Sequence, residues 1–419
     1  MKFMHKLIRL SGLAVLLILT AAPAGAYTLD ELMQLSVKNR ESIKIRQGDI
    51  EKSRSNMTIA RSMFIPKLEA SYESERDIDK GSESSAFSVT SSLNLFAGFR
   101  DLNNFLAEKK SAEVSRLLLK SAKQDLQLDV AAGFTEVFRA IENLRVAKSS
   151  LKLFQERYEN VKLKFETGLL TRRDTLAVKV EVDHAEQMTR IAEATVAKSL
   201  NRLSRITSVS GLTLETLDFK RLDTLPVKTA YDALEAKLLA NRSELTIQQR
   251  IKEASFKRYK AKKSEFYPHL NLAAIYSKED ASYDPWDKHE DWTAQVSVSM
   301  NFFDGMKTAA GLKSRKQDIS NARYALVELE KTLKIELKNI LLDFDVAEKN
   351  LKAAASGIDE ARENVRTTEL AFSHGRSTTT DILNSIDSLI RAERNVINAR
   401  MDLLLTDFRV KRMVEDFRY

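Results

Sequence analysis

Asn39-Arg40 … Phe64-Ile65-Pro66-Lys67-Leu68 returns in this chain as Asn241-Arg242 … Phe266-Tyr267-Pro268-His269-Leu270, at an offset of 202 residues. Asn94-Leu95-Phe96-Ala97-Gly98 then returns as Asn301-Phe302-Phe303-Asp304-Gly305, at an offset of 207. The second offset persists, pairing Phe165 with Phe372, Gly168 with Gly375, Thr171 with Thr378, Asp174 with Asp381 and Ala185-Glu186 with Ala392-Glu393. The chain is a duplication of one unit of roughly two hundred residues, too long for a solenoid repeat.

Lys2, Lys6 and Arg9 precede the apolar run Leu13–Leu19 and the small-residue site Ala24-Gly25-Ala26. That order predicts a signal peptide over 1–26. The apolar run falls short of the ~20 residues needed to span a bilayer. Removing the three basic residues takes the net charge from +8 to +5 (8 − 3). With 30% charged residues of both signs, that excess reads as solvated faces and argues against nucleic acid as a partner. There is no cysteine, which excludes disulfides, thiolate ligands and an acylated N-terminal Cys. Twelve Gly and five Pro in 419 residues leave few breaks and favour very long helices. After Ala26 no stretch is long and apolar enough for a membrane helix, so any crossing must use strands.

Residues 28–64 read as a helix, with Thr28 as N-cap, Glu31 three residues on and Leu29, Leu32 and Leu35 at helical spacing. After Pro66 the period becomes two. Leu68, Ala70 and Tyr72 alternate with charged and hydroxyl residues, as do Phe87, Val89, Ser91, Leu93 and Leu95 beyond a polar loop. In the second copy Leu270, Leu272, Ala274 and Tyr276 share a face. Trp292, Ala294, Val296, Val298, Met300 and Phe302 then alternate with Thr293, Gln295, Ser297, Ser299 and Asn301. Such alternation suits strands with lipid on one side and water on the other.

Between the hairpins, Leu126, Val130, Gly133, Val137, Ala140, Leu144, Ala147, Leu151, Phe154, Tyr158, Val161 and Phe165 recur in steps of four and three. The steps recur 207 residues later from Leu333 to Phe372. A heptad seam written twice predicts coiled coil. The expected organisation is a first repeat over 27–206 (helix, hairpin 66–95, long helix 98–166, return helix 172–206). A linker over 207–228 leads to a second repeat over 229–419 (helix, hairpin 268–302, long helix 305–373, return helix 379–415). The fold class is mainly α with a small antiparallel β part. Four lipid-facing strands would leave unpaired backbone groups at both edges, so the sheet must close by association. Small polar inward residues favour an open lumen, and a trimer with a 12-stranded barrel is the smallest such assembly.

The F-x-P motifs at Phe64-Ile65-Pro66 and Phe266-Tyr267-Pro268, the exit Asn94-Leu95-Phe96-Ala97-Gly98 and the turns Phe165-Glu166-Thr167-Gly168 and Phe372-Ser373-His374-Gly375 occur in an order similar to that of the TolC-like outer-membrane efflux proteins. The resemblance covers 27–419. It implies a homotrimer set in outer-membrane lipid, with a long periplasmic tunnel that meets an inner-membrane transporter through a periplasmic adaptor (membrane fusion) protein. Its role would be the exit duct of a tripartite efflux or type I secretion system. The alternative is a coiled-coil adaptor or structural envelope protein, but an adaptor should carry β-rich lipoyl-like domains around one hairpin.

The five His are scattered, and no zinc, nucleotide or nucleophile motif is present. No enzyme activity, cofactor or metal is expected. The polar run Asp284–Trp292 reads as an extracellular loop in preference to a metal site, with Trp286 and Trp292 in an aromatic girdle. Phe64, Phe96, Phe266 and Phe303 sit where strands meet helices, as an interface ring or as junction packing. Thr171 and Asp174, like Thr378 and Asp381, spell a capping box after the turn glycines Gly168 and Gly375. The resemblance implies that Asp381 lines the pore constriction at the periplasmic tip, near Asp174, Asn384 and Arg376. Asn384 replaces a second acidic residue of that family, and Ser377 stands where an Arg often helps hold the tip shut.

Overall fold

The computed structural model describes residues 26–77, 82–281 and 288–417. The expected signal peptide and Trp286 lie outside them. The first repeat comprises α1 (Leu29–Asn39), α2 (Glu41–Ser62), β1 (Lys67–Asp77), β2 (Ser82–Ala97), α3 (Arg100–Glu166) and α4 (Arg172–Thr207). Two short 3-10 turns, Leu214–Thr216 and Lys220–Leu222, cross to the second repeat. That repeat comprises α5 (Tyr231–Asn241), α6 (Ser243–Lys263), β3 (His269–Ala281), β4 (Lys288–Ser299), α7 (Lys307–Ser373) and α8 (Thr379–Met413). At about 1.5 Å per residue, α3 and α7, of 67 residues each, run roughly 100 Å.

The helix expected over 28–64 is two helices. Arg40 and Arg242 both take extended backbone and break their helices at the same place in each copy. Neither break uses Pro. Each guanidinium instead reaches back to the return helix of its own repeat: Arg40 donates to the Arg205 carbonyl and Arg242 to the Arg412 carbonyl at 2.7 Å. Those carbonyls lie in the last turns of α4 and α8, where intrahelical donors run out.

The four strands form one antiparallel sheet in the order β1-β2-β3-β4. The apolar residues line up across it. Ala70 faces Val89, which faces Tyr276, which faces Trp292; Leu93 faces Leu272, which faces Val296. On the other face Glu69, Thr90, Ile275 and Thr293 are in register, as are Ser71, Ser88, Ser277 and Asp291. Leu95 departs from its expected alternation. A register shift between Asn94 and Phe96 puts Phe96, not Leu95, opposite Leu270. Strand β4 also stops at Ser299, short of Met300 and Phe302. Its first-copy counterpart, the end of β2, is held by pairing with β3, whereas the end of β4 meets an open edge.

The main core gathers α1, α3, α4 and α8 around Leu29, Leu32, Val130, Phe134, Leu203 and Met401. Below it the heptad seams hold α3 to α4 and α7 to α8. Beside it is a charged cluster. Arg412 of α8 donates to Asp125 of α3 at 2.6 Å and to Glu244 of α6 at 2.7 Å, and Glu415 accepts from the Ser243 amide at 2.7 Å. Burial alone would raise the Glu244 carboxyl, but Arg242 and Arg412 outweigh it and hold the group below the usual carboxylate range. This cluster ties α3 of the first repeat to α6 and α8 of the second.

Candidate pore constriction and membrane sheet

At the far end from the sheet, α3 and α7 end in matching turns. Gly168 (φ 76°) and Gly375 (φ 68°) take the left-handed conformation. The amides that follow them, of Leu169 and Arg376, close back on the Lys164 and Ala371 carbonyls at 2.8 Å each. This is a Schellman closure, which requires a residue tolerant of positive φ. Three residues later each return helix opens with a full capping box. Thr171 Oγ1 donates to Asp174 Oδ2 at 2.6 Å and accepts from the Asp174 amide at 3.3 Å. Thr378 Oγ1 donates to Asp381 Oδ2 at 2.7 Å and accepts from the Asp381 amide at 3.2 Å.

The two boxes differ in their surroundings. Asp174 is half-buried beside the other tip. The Thr171 hydroxyl holds its carboxyl below the ordinary value, helped by the Thr171 amide and by the Thr379 hydroxyl of α8. Thr379 is buried, and its hydroxyl lies near Asp174 without completing a hydrogen bond of good geometry. Asp381 is exposed. The Thr378 amide and hydroxyl lower it, and the Ser377 hydroxyl, 3.2 Å away, adds to the effect. Asn384, one turn on, and Arg376 are exposed as well.

The repeat hides a second asymmetry. Phe165 and Phe372 are equivalent in sequence, yet Phe372 is 5% exposed and Phe165 40%. Phe372 lies in an apolar cluster with Phe154, Val161, Val178, Val182, Ile382 and Ile386. Lys164 and Arg157, both on α3, approach its ring, and Arg157 donates to Glu369 of α7. The heptad reading missed Arg157 and Glu369 because both stand beside the seam. Only their opposite charges hint at a link.

At the sheet end, Phe64 meets Phe105 edge-on, with ring centres 6.4 Å apart, and Phe96 meets Phe99 in the same way at 5.4 Å. Phe266 and Phe303 are exposed and make no ring pair among the described residues. The four are therefore junction residues that do not form one cluster within a chain. Trp292 stands toward the opposite end of the sheet, 77% exposed, its ring 5.0 Å from that of Tyr276. Six steps from Leu270 to Tyr276, at about 3.3 Å each, span roughly 20 Å. That is close to the apolar band of about 25 Å of outer-membrane strands. Among the described residues no helix is long and apolar enough to cross a membrane.

The family described as outer membrane efflux protein matches residues 32–208 and 234–413. The outer membrane protein TolC of Vibrio cholerae is 23% identical over 427 residues, covering 98% of this chain and 95% of that one. The alkaline protease secretion protein AprF of Pseudomonas aeruginosa is 22% identical over 408 residues, covering 93% and 84%. The crystal structure of the outer membrane protein VceC from Vibrio cholerae superposes with a TM-score of 0.78 at 13% identity, covering 92% and 95%.

Proposed function

The chain belongs to the outer membrane efflux protein family, and from that premise we propose that three copies close its sheet into one barrel and stack their helices into one tunnel. It is an outer-membrane channel of the efflux and secretion type, with its helices extending into the periplasm. The observation that carries the assembly is the sheet: one face mainly apolar from Leu270 to Trp292, the other mainly polar, and both outer strands open along one edge. In an all-antiparallel order β1 and β4 run in opposite directions, so β4 of one copy meets β1 of the next in antiparallel pairing. Twelve strands leave a wet interior, whereas eight fill with side chains.

In this reading the tip turns converge at the periplasmic mouth. Asp381 is exposed beside them, and three copies make an acidic ring that concentrates cations. Asp174, tucked against Thr379, braces the neighbouring hairpin. Phe64, Phe96, Phe266 and Phe303 mark the periplasmic edge of the barrel, and Trp292 its outer girdle. Substrates enter from an inner-membrane transporter joined to the tip by a periplasmic adaptor. No cofactor is needed for a passive duct. Membrane-extracted protein run with and without boiling, then reconstituted in planar bilayers, tests the reading. The expected result is a heat-modifiable trimer that conducts ions. A monomer without conductance would point to the coiled-coil adaptor instead.

A further inference from the structure

Inside one chain, the first repeat is seated on the second by α3 packing against α6 and α8. The face of the second repeat that corresponds to α3 is α7, and in the single chain that face is bare. Ile335 is 59% exposed, Leu342 61% and Val346 56%. Their counterparts on α3 are Leu128, Thr135 and Arg139. Leu128 packs against the main core, Thr135 is 2% exposed, and Arg139 is ion-paired to Asp402. Glycines repeat the contrast. A Cβ on Gly98 would meet the Ser264 carbonyl at 2.7 Å and the Tyr267 Cβ at 2.8 Å. Gly305 holds the same left-handed backbone with nothing within 4 Å.

The receiving surface is already formed on the first repeat. Arg40 grips the Arg205 carbonyl as Arg242 grips that of Arg412. In the second repeat the gripped residue, Arg412, turns its guanidinium onto α3, donating to Ser121 Oγ at 3.1 Å and to Asp125. Its counterpart Arg205 is exposed, and its side chain has no partner among the described residues. The counterpart of Ser121 is Glu328 on α7, also exposed and without a partner among the described residues. The carboxylate at this joint has moved by one helical turn between copies, from position 125 to the equivalent of position 121.

Resting on the assembly reading above, we infer that α7 of one copy packs on α2 and α4 of the next in the register of α3 on α6 and α8, with Arg205 ion-paired to Glu328 of the neighbouring copy. The occupant of the bare face is a second copy of this chain. Its Ser62 and Ile65 fill the space at Gly305 as Ser264 and Tyr267 fill that at Gly98.

The chain has no cysteine, so introduced thiols are unambiguous. Arg205→Cys and Glu328→Cys in one chain are treated in membranes with a short thiol-specific cross-linker that reaches beyond the ~4 Å Cβ separation of a disulfide. Covalent dimers and trimers are expected from the double variant. None is expected from either single variant, or from Arg205→Cys with Lys349→Cys, 21 residues farther along α7. A heat-modifiable trimer without thiol-linked species overturns the register and leaves the trimer standing. Absence of a trimer in the unaltered chain overturns both. Charge reversal gives an independent reading that needs no thiols. Arg205→Glu and Glu328→Arg should each lower trimer yield about two- to fivefold, and the two together should restore it. Singles that match the unaltered chain, or a double variant no better than the singles, overturn the pair.

Discussion

Lys164 holds its ammonium 4.4 Å from the centre of the Phe372 ring, so the last turn of α3 is tied to the last turn of α7 across the repeat boundary. A cation over an aromatic face contributes about 0.5–1 kcal/mol at a partly wet site. Arg157 and Glu369 add an ion pair one to two turns above it. Phe372→Ala removes the buried ring beneath both and should loosen the tip by about 3–5 kcal/mol. Phe165→Ala, at an exposed position, should cost under ~1 kcal/mol. Hydrogen exchange at the ends of the four long helices checks the difference.

Asp381→Asn should weaken cation selectivity and divalent-cation block in planar-bilayer recordings, since the proposed trimer turns this exposed carboxylate toward the mouth. Asp174→Asn should leave selectivity unchanged and lower tip stability by about 0.3–1 kcal/mol, the worth of a charge at a helix N-terminus. Equal selectivity in both variants would reduce Asp381 to a helix cap.

The pH dependence follows from the direction of the two shifts. Both carboxyls titrate below their ordinary value of 3.8 in the folded tip. Their capping contribution is therefore fully present above that value and lost as pH falls through the lower, folded one. Tip order measured by hydrogen exchange should be flat from about pH 8 to pH 5 and decline only below about pH 4. A transition near neutral pH would mean that a different group controls the tip.

Val296→Arg places a charge on the apolar face of β4 and should cost about 2–4 kcal/mol near the bilayer midplane, falling toward the interface. Ser297→Arg, one residue on and on the polar face, should assemble normally and narrow the lumen. Heat-modifiable trimer yield compares the two.

Arg412→Ala takes the cation from Asp125 and leaves Glu244 with Arg242 alone, while Glu415, which has no exposed side-chain surface, keeps Lys120 and the Ser243 amide. Losing the charged hydrogen bonds of Arg412 costs about 1.5–3 kcal/mol, and thermal unfolding of the helical signal should register it. Arg205→Ala, at the equivalent exposed position, should leave the isolated chain's stability within about 0.5 kcal/mol.

The duplication, the hairpins and the heptad seams were legible because each is a periodicity, and periodicity survives in one dimension. Trp292, Val296 and Val298 alternate in the sequence as they do in the sheet. What stayed hidden depends on neighbours. The breaks at Arg40 and Arg242 come from guanidinium contacts with carbonyls more than a hundred residues away. Their repetition as Asn39-Arg40 and Asn241-Arg242 was the available sign. The bulge that puts Phe96, not Leu95, opposite Leu270 has no signature in an alternating run. Phe165 and Phe372 look interchangeable, and only the apolar cluster that α3, α4 and α8 build around Phe372 separates them.

That last difference has a mechanical consequence. In a ring of three chains, six helical hairpins meet at six seams, alternately within and between chains. The within-chain seams carry Lys164 over Phe372 and the Arg157–Glu369 pair. At the between-chain seams the residues equivalent to Lys164, Arg157 and Glu369 are Ala371, Asn364 and Lys162, which offer neither an ion pair nor a cation for Phe165. In the proposed trimer each chain's four-helix end is one leaf of the mouth, tied internally at its tip and again where Arg412 reaches Asp125 and Glu244. Such leaves should part first along the three between-chain seams, leaving the three within-chain seams closed.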